Sequence, residues 1–164
     1  MNYGKAFKAG MFGAAVMTVL MVIARTLEVT TLNIEMALGS MLTQQISTSS
    51  WMLGLVMHLI VGGLLAQLYA FGFEVLTKRA SAWIGAGFSL VHTAIAGGVM
   101  AMLGSIHPLM MNGQLLAPGP FAINYGTLTA AAFVALHLIY GACVGSLYSM
   151  RPEVRASTQM PRAA

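Results

Sequence analysis

The stretch WMLGLVMHLIVGGLLAQLYAFGF, residues 51–73, decides the fold. It contains no Asp, Glu, Lys or Arg, and at 1.5 Å per residue a helix of this length crosses the roughly 30 Å of bilayer hydrocarbon. Apolar and polar residues do not alternate along it, which argues against a barrel strand. Three further stretches read the same way, at about Phe7–Arg25, Ala82–Leu103 and Gly126–Met150. The expected architecture is all-α: an integral membrane four-helix bundle over residues 1–150, followed by a polar tail over 151–164.

Composition agrees with that reading. Of 164 residues 58% are hydrophobic and 7% charged, with mean hydropathy +0.80. A soluble domain carries about a quarter of its residues as charges, so a water-soluble globule is excluded. The eight Lys and Arg outnumber four acids, but they do not gather on one polar face, so nucleic acid is not the expected partner. They lie between the apolar stretches instead. Lys5, Lys8, Lys78, Arg79, Arg151, Arg155 and Arg162 fall on one side of a four-span arrangement and Arg25 on the other. The positive-inside rule then puts both termini in the cytoplasm of a cell whose inner membrane holds the chain. Trp51 and Trp83 sit at opposite expected interfaces. The first stretch has a basic start like a secretory signal, but no small-x-small cleavage site precedes Arg25, so it is read as a retained span. Cys143 is the single cysteine and forms no intrachain disulfide.

Between the first two spans, Asn33 is a suitable N-cap for a short helix with apolar residues at 34, 37, 38, 41 and 42, and Glu35 falls in its first turn where the dipole favours negative charge. Such a helix suits the outer membrane surface. The other outer connection, about Gly104 to Tyr125, holds Pro108, Pro118 and Pro120, and irregular backbone is expected there.

The second and fourth spans resemble each other. His58-Leu-Ile-Val-Gly-Gly-Leu-Leu-Ala-Gln-Leu-Tyr69 aligns with His137-Leu-Ile-Tyr-Gly-Ala-Cys-Val-Gly-Ser-Leu-Tyr148 at an offset of 79, which also carries Glu74 onto Glu153. The first and third spans match more weakly, with Gly10, Met17 and Thr18 opposite Gly85, His92 and Thr93. A duplicated two-span unit follows, its copies pointing the same way because each crosses an even number of times; this parallel repeat places His58 and His137 at equal depth. His58, Gly62, Leu65 and Tyr69 form one helical stripe, repeated by His137, Gly141, Val144 and Tyr148. Small residues let helices approach closely in a bilayer, as Gly141 and Gly145 or Gly10 and Ala14 would, so this stripe is expected to face the bundle interior.

The ionisable side chains inside the spans are histidines, and polar groups in hydrocarbon mark functional positions. His58 lies roughly 10 Å below the outer interface, His92 nearer mid-bilayer, and His107 just beyond the third span. Three readings of these residues stay open beside simple interhelical hydrogen bonding. Heme b would use His58 and His137 as opposed ligands, with His92 nearby and with Gly62 and Gly141 leaving room for the porphyrin edge; a partner for its propionates is lacking. Copper(I) would draw on the methionines: Met is 14 of 164 residues, and Met57, Met100, Met102, Met110 and Met111 join His58, His107 and His137 in a thioether–imidazole set. A transporter or proton path would use histidine as a shuttle, but intramembrane acids are missing.

On the Lys-bearing first span, Asn33-to-Ser40, His58-to-Glu74, Ile106-His107-Pro108 and His137-to-Tyr148, the chain resembles a bacterial group of small four-span membrane proteins of unknown function. That resemblance implies an inner-membrane location and four helices, and no activity. The expected role is an accessory or anchoring subunit, without catalysis of its own, whose partners are the lipid bilayer and either other membrane subunits or further copies of itself.

Overall fold

The computed structural model describes residues 1–148; the tail at 151–164, its three arginines, Glu153 and the last residues of the fourth expected span lie outside the described residues. Helix α1 runs Tyr3–Thr26, α2 Ile34–Thr43, α3 Thr48–Phe71, α4 Ala82–Ile106, α5 Pro108–Met111 and α6 Thr127–Leu147. Among the described residues there is no strand. Four helices are long and apolar enough to cross a membrane, namely α1, α3 with its extension, α4 and α6.

Three of the starts have a local cause. Asn33 accepts a hydrogen bond from the Met36 amide at 2.9 Å, Ser47 from Ser50 and Ser81 from Ile84, so short polar side chains satisfy otherwise orphaned donors of α2, α3 and α4. Helix α3 does not stop at Phe73 as expected. It continues as a π-helical turn over Gly72–Thr77 and ends at Lys78, whose φ of 54° is left-handed. The connection expected to be irregular contains α5 and a 3-10 segment, Pro120–Tyr125. There Phe121 and Ala122 take left-handed φ values of 51° and 61°, and the Phe121 ring covers Gly97 of α4 where no Cβ would fit.

The helices pack in the order α3, α1, α6, α4, with α1 and α6 in the middle. Glycines make the closest crossings. Gly10 of α1 meets the backbone of Gly62 on α3, and Gly85 of α4 meets the backbone of Gly141 on α6. Helix α2 does not stand alone on its apolar stripe: Gly39 and Gly54 interlock it with α3, burying Glu35 and Ser40 while Leu42 stays exposed. Because α3 and α4 are the outer helices, they approach each other mainly at the Lys78 end, through the rings of Tyr69, Phe73 and Phe88. Above that aromatic floor they stand apart.

Candidate functional site

The gap between α3 and α4 is a cavity of about 290 Å³. Leu32, Ile34 and Leu38 roof it from the α2 end, and Tyr140 lines its lower end. Its wall is apolar except for His58 on α3, His92 on α4 and His137 on α6. Val61, Ile95 and Val99 line it as well yet are exposed on the outer faces of α3 and α4, so the cavity opens sideways between these two helices.

All three imidazoles are tied through Nδ1. The Thr18 hydroxyl lies 3.0 Å from Nδ1 of His58, the Tyr69 hydroxyl 3.0 Å from Nδ1 of His92, and the Phe133 carbonyl 2.7 Å from Nδ1 of His137. Among the described residues no Nε2 of the three has a hydrogen-bond partner, and none of these atoms is sealed from the cavity. The carbonyl partner of His137 only accepts and so fixes the proton on its Nδ1, whereas the two hydroxyl partners can donate or accept. The rings also touch: His92 and His137 are 5.0 Å apart between centroids and near perpendicular, and Phe133 lies 4.3 Å from His137.

A carboxylate that the sequence places outside the spans reaches this site. Glu35 is fully buried; its Oε2 is 3.5 Å from Arg25, which also donates to the Leu32 carbonyl at 3.2 Å. Its Oε1 has no hydrogen-bond partner and lies 3.9 Å from Nδ1 of His58. Sequence reasoning took Glu35 as a first-turn residue only. The available signal was that Arg25 and Glu35 are oppositely charged residues at and within the connection between the first two long helices. Thr18 and Tyr69, the hydroxyl partners, were also missed as site residues, although Tyr69 sits on a stripe already read as interior.

The remaining expected site residues do not gather here. His107 is buried away from the cavity, its Nε2 donating to the Ala37 carbonyl at 2.9 Å and its Nδ1 accepting from the Leu109 amide at 3.2 Å. Both ring nitrogens are therefore used to cap α5 and clamp it on α2. Met100 lines the cavity, Met110 is buried beside His107, Met102 and Met111 are exposed on the surface, and Met57 is half-buried outside the lining. Among the described residues no three His, Cys, Asp or Glu side chains converge as a metal cluster would. Gly62 borders the cavity and packs against Ala14 and Gly10 of α1, whereas Gly141 lies outside the lining, against Gly85 and Ser89 of α4.

No protein family, no curated protein and no solved structure matches this chain.

Proposed function

We propose that this chain is a small inner-membrane protein, both termini cytoplasmic, that serves as an accessory or anchoring subunit of a larger membrane assembly and holds a small, lipid-soluble ligand with a polar group in its imidazole-lined cavity. The observation that carries this reading is three ring nitrogens without partners on one apolar cavity, since an unpaired polar group in hydrocarbon is costly and a ligand removes that cost. Lys5, Lys8, Lys78 and Arg79 support the cytoplasmic side. The Gly10–Gly62 and Gly85–Gly141 crossings, equivalent at the offsets of 75 and 79, support a duplicated hairpin with His58 and His137 at matching positions. Gly87 and Gly98, exposed on α4 with nothing within 4 Å of an added Cβ, support a helix from another subunit or a second copy on that face.

Purification from native membranes in mild detergent tests this, with an optical spectrum, elemental analysis and mass spectrometry of the organic extract. The wild type should carry a stoichiometric small molecule that the His58→Gln, His92→Gln, His137→Gln triple variant, equally helical, has lost. An empty wild type, or a triple variant loaded to the same extent, would overturn the reading.

A proton path is a second reading, supported by Glu35 Oε1 facing His58 without a hydrogen bond. Proteoliposomes that leak protons no faster than empty vesicles would dismiss it.

A further inference from the structure

The proton positions on the three imidazoles specify what the cavity binds, on the reading just given that it holds a ligand. A backbone carbonyl only accepts, so the bond from His137 to Phe133 places the proton on Nδ1 and leaves the Nε2 of His137 a bare acceptor. Hydroxyls can do either, but the Thr18 and Tyr69 hydroxyls have no other acceptor among the described residues than His58 and His92. Donation to Nδ1 is the arrangement that gives each hydroxyl an acceptor, and it leaves N–H groups on the Nε2 atoms of His58 and His92. The cavity thus offers two donors and one acceptor in an otherwise apolar surround.

One group matches that set in number. A hydroxyl donates one hydrogen bond and accepts two. A carbonyl cannot donate and would leave the His137 nitrogen buried and unpaired. The polar end of the cavity is also walled by rings: Phe133 and His137 at 4.3 Å, His92 and His137 at 5.0 Å, His92 and Tyr140 at 5.4 Å. Flat aromatic groups pack edge-to-face or offset in such surroundings. The volume of about 290 Å³ is at the lower end of small-molecule sites and suits one ring, with any chain leaving between Val61 and Val99 into the bilayer. We infer that the cavity binds the hydroxyl of a lipid-soluble phenol, a quinol headgroup, which reaches it sideways from the membrane between α3 and α4. The hydroxyl donates to Nε2 of His137 and accepts from Nε2 of His58 and His92.

The test uses the full chain in lipid nanodiscs under anaerobic reducing conditions, with tritiated tetramethylbenzoquinol as probe and empty nanodiscs as the blank. Tetramethylbenzoquinone, assayed without reductant, and dodecanol are the comparison ligands. The quinol should bind at least about tenfold more tightly than the quinone, because the quinone leaves one buried acceptor unsatisfied. His137→Phe, which keeps a ring in place and removes the acceptor, should bring that ratio close to one. Val99→Trp, at an exposed position that tolerates bulk, should weaken both ligands by blocking the side opening. Equal binding of quinol and quinone by the wild type, a ratio that survives in His137→Phe, dodecanol binding as tightly as the quinol, undiminished binding in Val99→Trp, or no binding of any probe would each overturn the inference. If none of the probes binds while the protein purified from native membranes carries a different molecule, the ligand class fails and the cavity reading stands. An empty native protein fails both.

Discussion

Replacing Gly54 with Ala should loosen the roof of the cavity, and the same change at Gly87 should not. Gly54 faces Gly39 where α3 crosses α2, and a Cβ at position 54 would overlap the Glu35 carbonyl. That obstacle is backbone, which cannot rotate aside, so α2 must lift away from α3 and carry Glu35 with it. Overpacking of this kind costs about 1–3 kcal/mol, offset by the ~1 kcal/mol that Ala gains over Gly inside a helix. At Gly87 nothing lies within 4 Å of an added Cβ, so the helical gain stands alone. The two single-methyl variants should therefore differ by about 1–3 kcal/mol, roughly fivefold to a hundredfold in the folding equilibrium. Reversible unfolding by sodium dodecyl sulfate in mixed micelles, followed by circular dichroism, reads that difference. Curves for Gly54→Ala and Gly87→Ala that superimpose would refute the interlocked α2–α3 contact, and with it the burial of Glu35.

Two other changes have definite expected outcomes. His107→Ala should cost about 2–3 kcal/mol in the same unfolding assay, because it leaves buried partners of both ring nitrogens unmatched, while ligand content stays at the wild-type level. A parallel loss of bound ligand or metal would contradict its purely structural placement. Tyr125 donates to the Leu116 carbonyl at 2.9 Å, and burial pushes its phenol above the ordinary value of 10.0. Its folded-state value is raised, so its contribution is complete below pH 10 and is lost as pH climbs through that higher value. Tyr125→Phe should flatten the alkaline end of the stability profile, and an unchanged profile would dismiss the effect.

The long apolar stretches were legible because length and hydropathy alone define a candidate span, and the cap at Asn33 follows from local chemistry. The common lining by His58 and His137 was legible through the internal similarity, since both sit on a small-residue stripe. Met100 and Met102 show where the reading ran out. Two positions on a helix are about 200° apart, so one faces the cavity and the other the surface, and assigning methionines to one half of the bilayer could not separate them. His107 looked equivalent to the other histidines in sequence, but its role depends on α2 lying beside it. Glu35 was hidden for the same reason: a glycine-to-glycine contact between α2 and α3 turns a first-turn carboxylate of α2 inward, and no local pattern marks which glycines will meet.

The most direct test is the ¹⁵N NMR spectrum of the protein with labelled histidines in nanodiscs. His137 should carry its proton on Nδ1, and His58 and His92 on Nε2, three slowly exchanging rings in two tautomers. Three rings sharing one water-averaged tautomer mixture would mean that the imidazoles do not face an enclosed apolar cavity, and the account would fall.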